Sequence, residues 1–89
     1  MRPYELPEND DIPASQMGRP ELAGFAERLR AARKKLNLTQ GQLGDRAGMT
    51  DSAISYMERA VSDPSSSRLF ALATALGVSV HFLWLGEDA

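Results

Sequence analysis

The segment from Thr50 to Arg59, TDSAISYMER, holds a row of side chains suited to recognising a polar partner. Written as a helix, Ser52, Ser55, Tyr56 and Arg59 align at i, i+3, i+4 and i+7, while Ala53, Ile54 and Met57 fall on an apolar side. Hydroxyl, phenol and guanidinium groups in such a row donate and accept hydrogen bonds, but they include no nucleophile paired with a base. Taken alone, the row would be an ordinary solvated helix face. The single histidine, His81, has no companion acid, nucleophile or second ligand and reads as a helix-surface residue. With no cysteine there is no thiolate, no Cys-ligated zinc and no disulfide. The chemistry on offer is recognition, so neither an enzyme nor a cofactor is expected.

The elements that would hold this segment can be placed from capping signals and hydrophobic period. From Pro20 the pattern turns helical, with Glu21 suited to the positive end of a helix dipole. Phe25, Leu29, Ala32 and Leu36 then recur at helical spacing, and Asn37 can take the left-handed conformation that stops a helix. Thr39 with Gln42 three residues on is a capping box for a short second helix whose inner face is Leu43 and Ala47, with Gly48 as its stop. Thr50 is the expected N-cap of the third helix, and Asp51 lies in its first turn. Two short helices joined by Gly48-Met49-Thr50 form a helix-turn-helix pattern. Asp63 as N-cap and Pro64 at the first position are expected to open a fourth helix, with Leu69, Leu72, Ala73 and Leu76 inside and Gly77 at its end. Ser79 can cap a last short helix from His81 to Leu85. No β-alternation is convincing, so the expected fold is all-α, with five helices around one core.

Length and composition set the frame. The chain of 89 residues is enough for one small domain, and 43% hydrophobic with 25% charged residues is ordinary for a globular one. No apolar run approaches the ~18–20 residues that span a bilayer, and the N-terminus lacks the apolar core of a secretory signal; a cytoplasmic location with no membrane partner is the default expectation. Residues 1–19 read as a flexible, acidic, Pro-rich tail holding Pro3, Pro7 and Pro13, residues 20–86 as the domain and 87–89 as the C-terminal end. Met17 could be an alternative start. The formal net charge of −2 hides an asymmetry. Met1 to Glu21 carries Arg2 and Arg19 against Glu5, Glu8, Asp10, Asp11 and Glu21, a balance of −3. Leu22 to Gly86 carries eight basic residues against five acidic ones, a balance of +3. A basic body with acidic ends is compatible with a nucleic-acid partner, although +3 is modest for one.

The ordered pieces L36-N-L-T-Q40, L43-G-D-R-A-G48, I54-S-Y-M-E-R59, Pro64, Leu69 and L72-A-T-A-L-G-V-S-V80 together resemble the Cro and phage-repressor type helix-turn-helix, the XRE family. The resemblance runs from about Phe25 to Gly86 and leaves the tail outside. It implies a five-helix, lambda-repressor-like DNA-binding domain, acting as a transcriptional regulator or repressor on a palindromic double-stranded operator. An α-helix fits the major groove of B-DNA, where each base pair shows a distinct donor and acceptor pattern. The resemblance maps the base-facing positions onto Thr50, Asp51, Ser52 and Tyr56, with Ser55 close by. Asp51 has a competing role as a first-turn acid stabilising the helix through its dipole. Gln40 would bond a phosphate, with Arg46, Arg59 and Arg68 as further backbone candidates. Lys34, Lys35 and Arg30 read as a solvated face.

Arg33 and Glu58 stand where the family places a partly buried ion pair tying the first helix to the third. In H81-F-L-W-L85 the resemblance sends Phe82 and Leu83 inward and leaves Trp84 and Leu85 outward, as the interface of a homodimer; Trp84 could instead fold back over the fourth helix. Two departures bear on affinity. Where relatives have Gly followed by basic residues, this chain has Ala60-Val61-Ser62-Asp63, so the turn is expected to change shape and phosphate contacts to be lost. Asp51 accepts from cytosine N4 but repels phosphate. Both predict weaker DNA affinity and a greater dependence on dimerisation. Two other readings stay open: an antitoxin-like protein that binds DNA and a protein partner, and a protein-interaction module on the same fold. The chain could also be the DNA-binding part of a longer repressor.

Overall fold

Capping chemistry and left-handed stops set the limits of nearly every element in the computed structural model, which describes residues 18–86. Residues 1–17 of the expected tail at 1–19, and the end at residues 87–89, lie outside the described residues. A 3-10 turn at Pro20–Leu22 leads into α1, Ala23–Lys35. Then follow α2, Gln40–Ala47, α3, Asp51–Glu58, α4, Ser66–Leu76, and α5, Val80–Leu85. The described residues contain no strand.

Thr39 accepts from the amide of Gln42, whose side chain bonds back to the Thr39 amide, completing the capping box at α2. Thr50 accepts from the Ala53 amide and Ser79 from the Phe82 amide. At α4 the expectation is corrected. Ser65, not Asp63, is the N-cap, accepting from the Arg68 amide, and Pro64 lies before the helix instead of in its first turn. The Asp63 carboxylate is engaged elsewhere, 2.9 Å from the Arg19 guanidinium.

α1, α2, α3 and α4 close in one way. Asn37, Gly48, Ala60 and Gly77 each adopt positive φ just past a helix. The following amides, of Leu38, Met49, Val61 and Val78, bond back to the carbonyls of Arg33, Gly44, Tyr56 and Ala73. Ala60 therefore takes the left-handed conformation, at φ 61°, that its side chain was expected to resist. Leu36 is a second correction. It is 44% exposed, because the reversal at Asn37 carries the chain past it and places Leu38 in the core.

The main core joins Phe25 and Leu29 of α1, Leu38, Leu43 of α2, Ile54 and Met57 of α3, Leu72, Ala73 and Leu76 of α4, and Leu83 of α5. Full burial of a side chain such as Leu29, Leu43 or Ile54 contributes roughly 1.5–3 kcal/mol, which makes this cluster the main source of cohesion. α2 packs on α3 and α4, α1 on α3 and α5, and α4 on α5, so α3 is gripped from two sides. A smaller cluster of Leu22, Ala26 and Ala60 draws the N-terminal turn onto the loop after α3. There the folded body reaches back beyond Pro20: the Arg19 amide donates to the Ala60 carbonyl at 2.8 Å.

Candidate nucleic-acid interface

The turn between α2 and α3 depends on a close approach. Gly44 is buried on α2, and a Cβ there would lie 2.4 Å from the Met49 carbonyl oxygen. Only glycine lets the chain fold back this tightly, and the Met49 amide then reaches the Gly44 carbonyl at 2.8 Å. This contact sets how α3 leaves the turn. Nothing in the local pattern of the sequence singled out Gly44.

On α3 the apolar underside of Ile54 and Met57 is fully buried, which fixes the rotation of the helix about its own axis. Thr50, Asp51, Ser52 and Tyr56 are exposed, and Ser55 and Arg59 are half-buried. Thr50 has a second duty, since its hydroxyl caps the helix at 3.1 Å from the Ala53 amide. Tyr56 is 48% exposed, and the Arg59 guanidinium lies 5.3 Å from the centre of its ring, within cation–π range. Arg59 Nε is buried and has no hydrogen-bond partner.

Behind this surface, Arg33 and Glu58 form a two-point pair: Nε donates to Oε2 at 2.6 Å and Nη2 to Oε1 at 3.0 Å. Arg33 is 8% and Glu58 6% exposed. Nη1 of Arg33 also donates to the Leu38 carbonyl at 2.8 Å, so one guanidinium ties α1, the α1–α2 turn and α3 together. Gln40, named from sequence for a phosphate, donates through Nε2 to Glu58 Oε1 at 3.1 Å. One of its amide protons is therefore committed to the ion pair. Arg46 and Arg68 are exposed, on α2 and in the first turn of α4.

At the far end of the chain, Leu83 is fully buried while Phe82 is only half-buried, a correction to the expectation that both point inward. Trp84 does not lie free. Its ring is 5.3 Å from that of Phe25, tilted by 58°, so it packs on α1 while staying 38% exposed. Leu85 is 55% exposed. Arg28, which sequence reasoning passed over, donates from Nε to the Leu83 carbonyl at 3.0 Å and from Nη2 to the Trp84 carbonyl at 2.7 Å. A cation on the last carbonyls of α5 satisfies groups that a helix end leaves open. The groove of about 480 Å³ lined by Arg28, Ala31, Lys35, Val78 and Phe82 includes no residue of α3. Among the described residues no three His, Cys, Asp or Glu side chains gather as a metal site, and no helix is long and apolar enough to cross a membrane.

A buried glycine turn, a capped helix with an exposed polar start and an ion pair behind it define a helix-turn-helix protein. The family model described as helix-turn-helix matches residues 29–83, and the chain belongs to this family, of the Cro and phage-repressor type. It is 43% identical over 63 residues to the repressor protein C2 of Salmonella phage P22, a match covering 71% of this chain and 29% of that protein. It is 40% identical over 62 residues to the immunity repressor protein of Bacillus phage phi105, covering 70% of this chain and 42% of that one. The chain thus spans less than half the length of either repressor. Among solved structures, the P22 c2 repressor in complex with synthetic operator 9T superposes with a TM-score of 0.69 at 41% identity, over 71% of this chain and 96% of that one. The restriction-modification controller protein C.AhdI of Aeromonas hydrophila gives 0.69 at 31% identity, over 72% and 97%.

Proposed function

We propose that this chain is a sequence-specific double-stranded-DNA-binding transcriptional repressor that presents α3 to the major groove as one half of a symmetric homodimer. The observation that carries the reading is the exposed start of α3. Asp51, Ser52 and Tyr56 stand clear of a helix whose underside is locked in the core. The repressor relative whose solved structure includes an operator supports it. Thr50, Ser52 and Ser55 offer hydroxyls that donate or accept at base edges, Asp51 accepts from cytosine N4, and Tyr56 adds a phenol and a ring face. Arg46, Arg59 and Arg68 serve phosphates, with Gln40 contributing whatever its bond to Glu58 leaves free. Arg59 gains an acceptor when it leaves Tyr56 for the backbone. Leu85, with the free side of Trp84, forms the dimer contact, which sets two copies of α3 about one DNA turn (~34 Å) apart on a palindrome.

Genomic footprinting of the tagged protein would yield the operator and its symmetry together. On that duplex, Asp51→Asn should relax the preference at one base pair by about 1–3 kcal/mol, and Arg59→Ala should weaken all duplexes alike and lower the salt slope by about 1. If duplex affinity does not change between about 50 and 200 mM salt, the reading fails, because phosphate contacts release counterions.

A further inference from the structure

The groove of about 480 Å³ takes no part in the surface around α3 and has a chemistry of its own. On α1 it is lined by Arg28, Ala31, Ala32 and Lys35, which stand at i, i+3, i+4 and i+7. One face of that helix therefore supplies two cations, about 10.5 Å apart along the axis, with two small apolar residues between them. Val78, in the turn after α4, and Phe82 of α5 supply the other apolar wall. Both are only half-buried, so each leaves apolar surface open to the groove. Among the described residues that line it, none is acidic. Arg28 is fixed by the fold, since Nε and Nη2 donate to the Leu83 and Trp84 carbonyls at 3.0 and 2.7 Å. Lys35 is exposed and brings a mobile ammonium on a flexible stem.

We propose that this groove binds a small carboxylate with an apolar body, of the arylalkanoate or medium-chain acid class. The body lies on Ala31, Ala32, Val78 and Phe82, where a ring can pack against that of Phe82. The carboxylate meets Lys35, because the Arg28 guanidinium already shares its charge with two carbonyls. The volume falls in the range of about 300–1,000 Å³ usual for small-molecule sites, with apolar walls and few polar groups. Apolar walls alone would accept any body of the right size. The two cations make the choice, favouring an anion over a neutral or cationic molecule of the same shape. The site stands apart from the DNA-binding reading, because no residue of α3 lines it. A molecule that binds only the folded chain also stabilises it.

The test uses three probes with one body and different charge: 4-phenylbutyrate, 4-phenylbutanol and 4-phenylbutylamine. Each is titrated into the full chain while the amide signals are followed by NMR. The acid should shift the amides of Ala31, Ala32, Val78 and Phe82 saturably, with a Kd near ~1 mM for a ligand of this size. At ~50 mM salt it should bind about threefold to fivefold more tightly than the alcohol, and the amine should bind more weakly than either. Lys35→Gln should erase the advantage of the acid and leave the alcohol unchanged. Ala31→Phe, at an exposed helix position, should fill the groove, abolish all three shifts and remove the rise in Tm that the acid gives the parent. Acid and alcohol binding equally, no saturable shift at these amides, or shifts that survive Ala31→Phe in a folded variant would each overturn the proposal. Shifts of the same amides with protein concentration alone, no probe being present, would assign the groove to a second copy of the chain and overturn it as well.

Discussion

Arg33 and Glu58 show how a buried charge can matter more for what its loss leaves behind than for what its presence adds. Each is nearly sealed from solvent, and the pair shares its hydrogen bonds with Leu38 and Gln40. Arg33→Ala should lower unfolding stability by about 3–5 kcal/mol, because Glu58 is left buried and unpaired. Replacing both partners with apolar residues, Arg33→Met with Glu58→Leu, should cost far less, as urea unfolding of the two proteins would show. If the single variant proves the milder, the pair is not carrying buried charge. The exposed pair at Arg19 and Asp63 behaves differently. Hydrogen bonding from Arg19 is the largest cause holding the Asp63 carboxyl below its ordinary value of 3.8, followed by a backbone bond and the Arg19 charge. A carboxyl whose folded value is depressed adds stability above its unfolded value and loses it as pH falls through the folded one. NMR titration should therefore find Asp63 protonating below 3.8, and Arg19→Gln should bring it back up. An unchanged midpoint in that variant would remove Arg19 as the cause.

Elements are legible from sequence where one local interaction decides them. Thr39, Thr50 and Ser79 cap helices through their own hydroxyls, and Asn37 and Gly48 stop them through their own backbone freedom. They fail where a distant partner decides. Asp63 and Pro64 look like a helix start, but Arg19, far away in sequence, holds the carboxylate, and the run of serines at 65–67 supplies another cap. Leu36 fits the period of α1, yet the turn at Asn37 gives its place to Leu38. Ala60 takes positive φ in a turn that bonds two amides, its own to Met57 and that of Val61 to Tyr56, with its methyl buried beside Leu22 and Ala26. The sharpest demand falls on the α2–α3 turn. Gly44→Ala forces a methyl against the Met49 carbonyl and should destabilise by about 1–3 kcal/mol, the usual effect of overpacking. Since the turn aims α3, duplex affinity should fall further than stability alone accounts for when measured well below the melting temperature. Wild-type affinity in a folded variant would show that the turn does not aim the helix.

For the whole molecule, the row of exposed groups on α3 was readable because period and resemblance agree, whereas the fastening of its neighbours was not. Trp84 stands out in the sequence, but the ring of Phe25 and the guanidinium of Arg28 that hold its helix end come from α1. This shifts the weight of the dimer proposal onto Leu85, which makes no contribution to the core. Leu85→Asp should leave helix content unchanged by circular dichroism and turn a concentration-dependent dimer into a monomer in sedimentation. It should also weaken a two-half-site duplex more than a single half-site. A variant that sediments as the parent does would move the interface elsewhere.

The close approach at Gly18 has a consequence for how the chain can vary. Ahead of the first helix, in a stretch whose composition suggests that any small polar residue would do, one position has no room even for a methyl group. Alanine, serine or asparagine there would set a Cβ against the Ala60 carbonyl and push residue 18 away from the loop after α3, although Arg19, Leu22 and Asp63 remained intact. A designer grafting a new N-terminal extension onto this domain therefore has to begin upstream of residue 18, and a library that randomises the junction will lose the anchored geometry in most of its members.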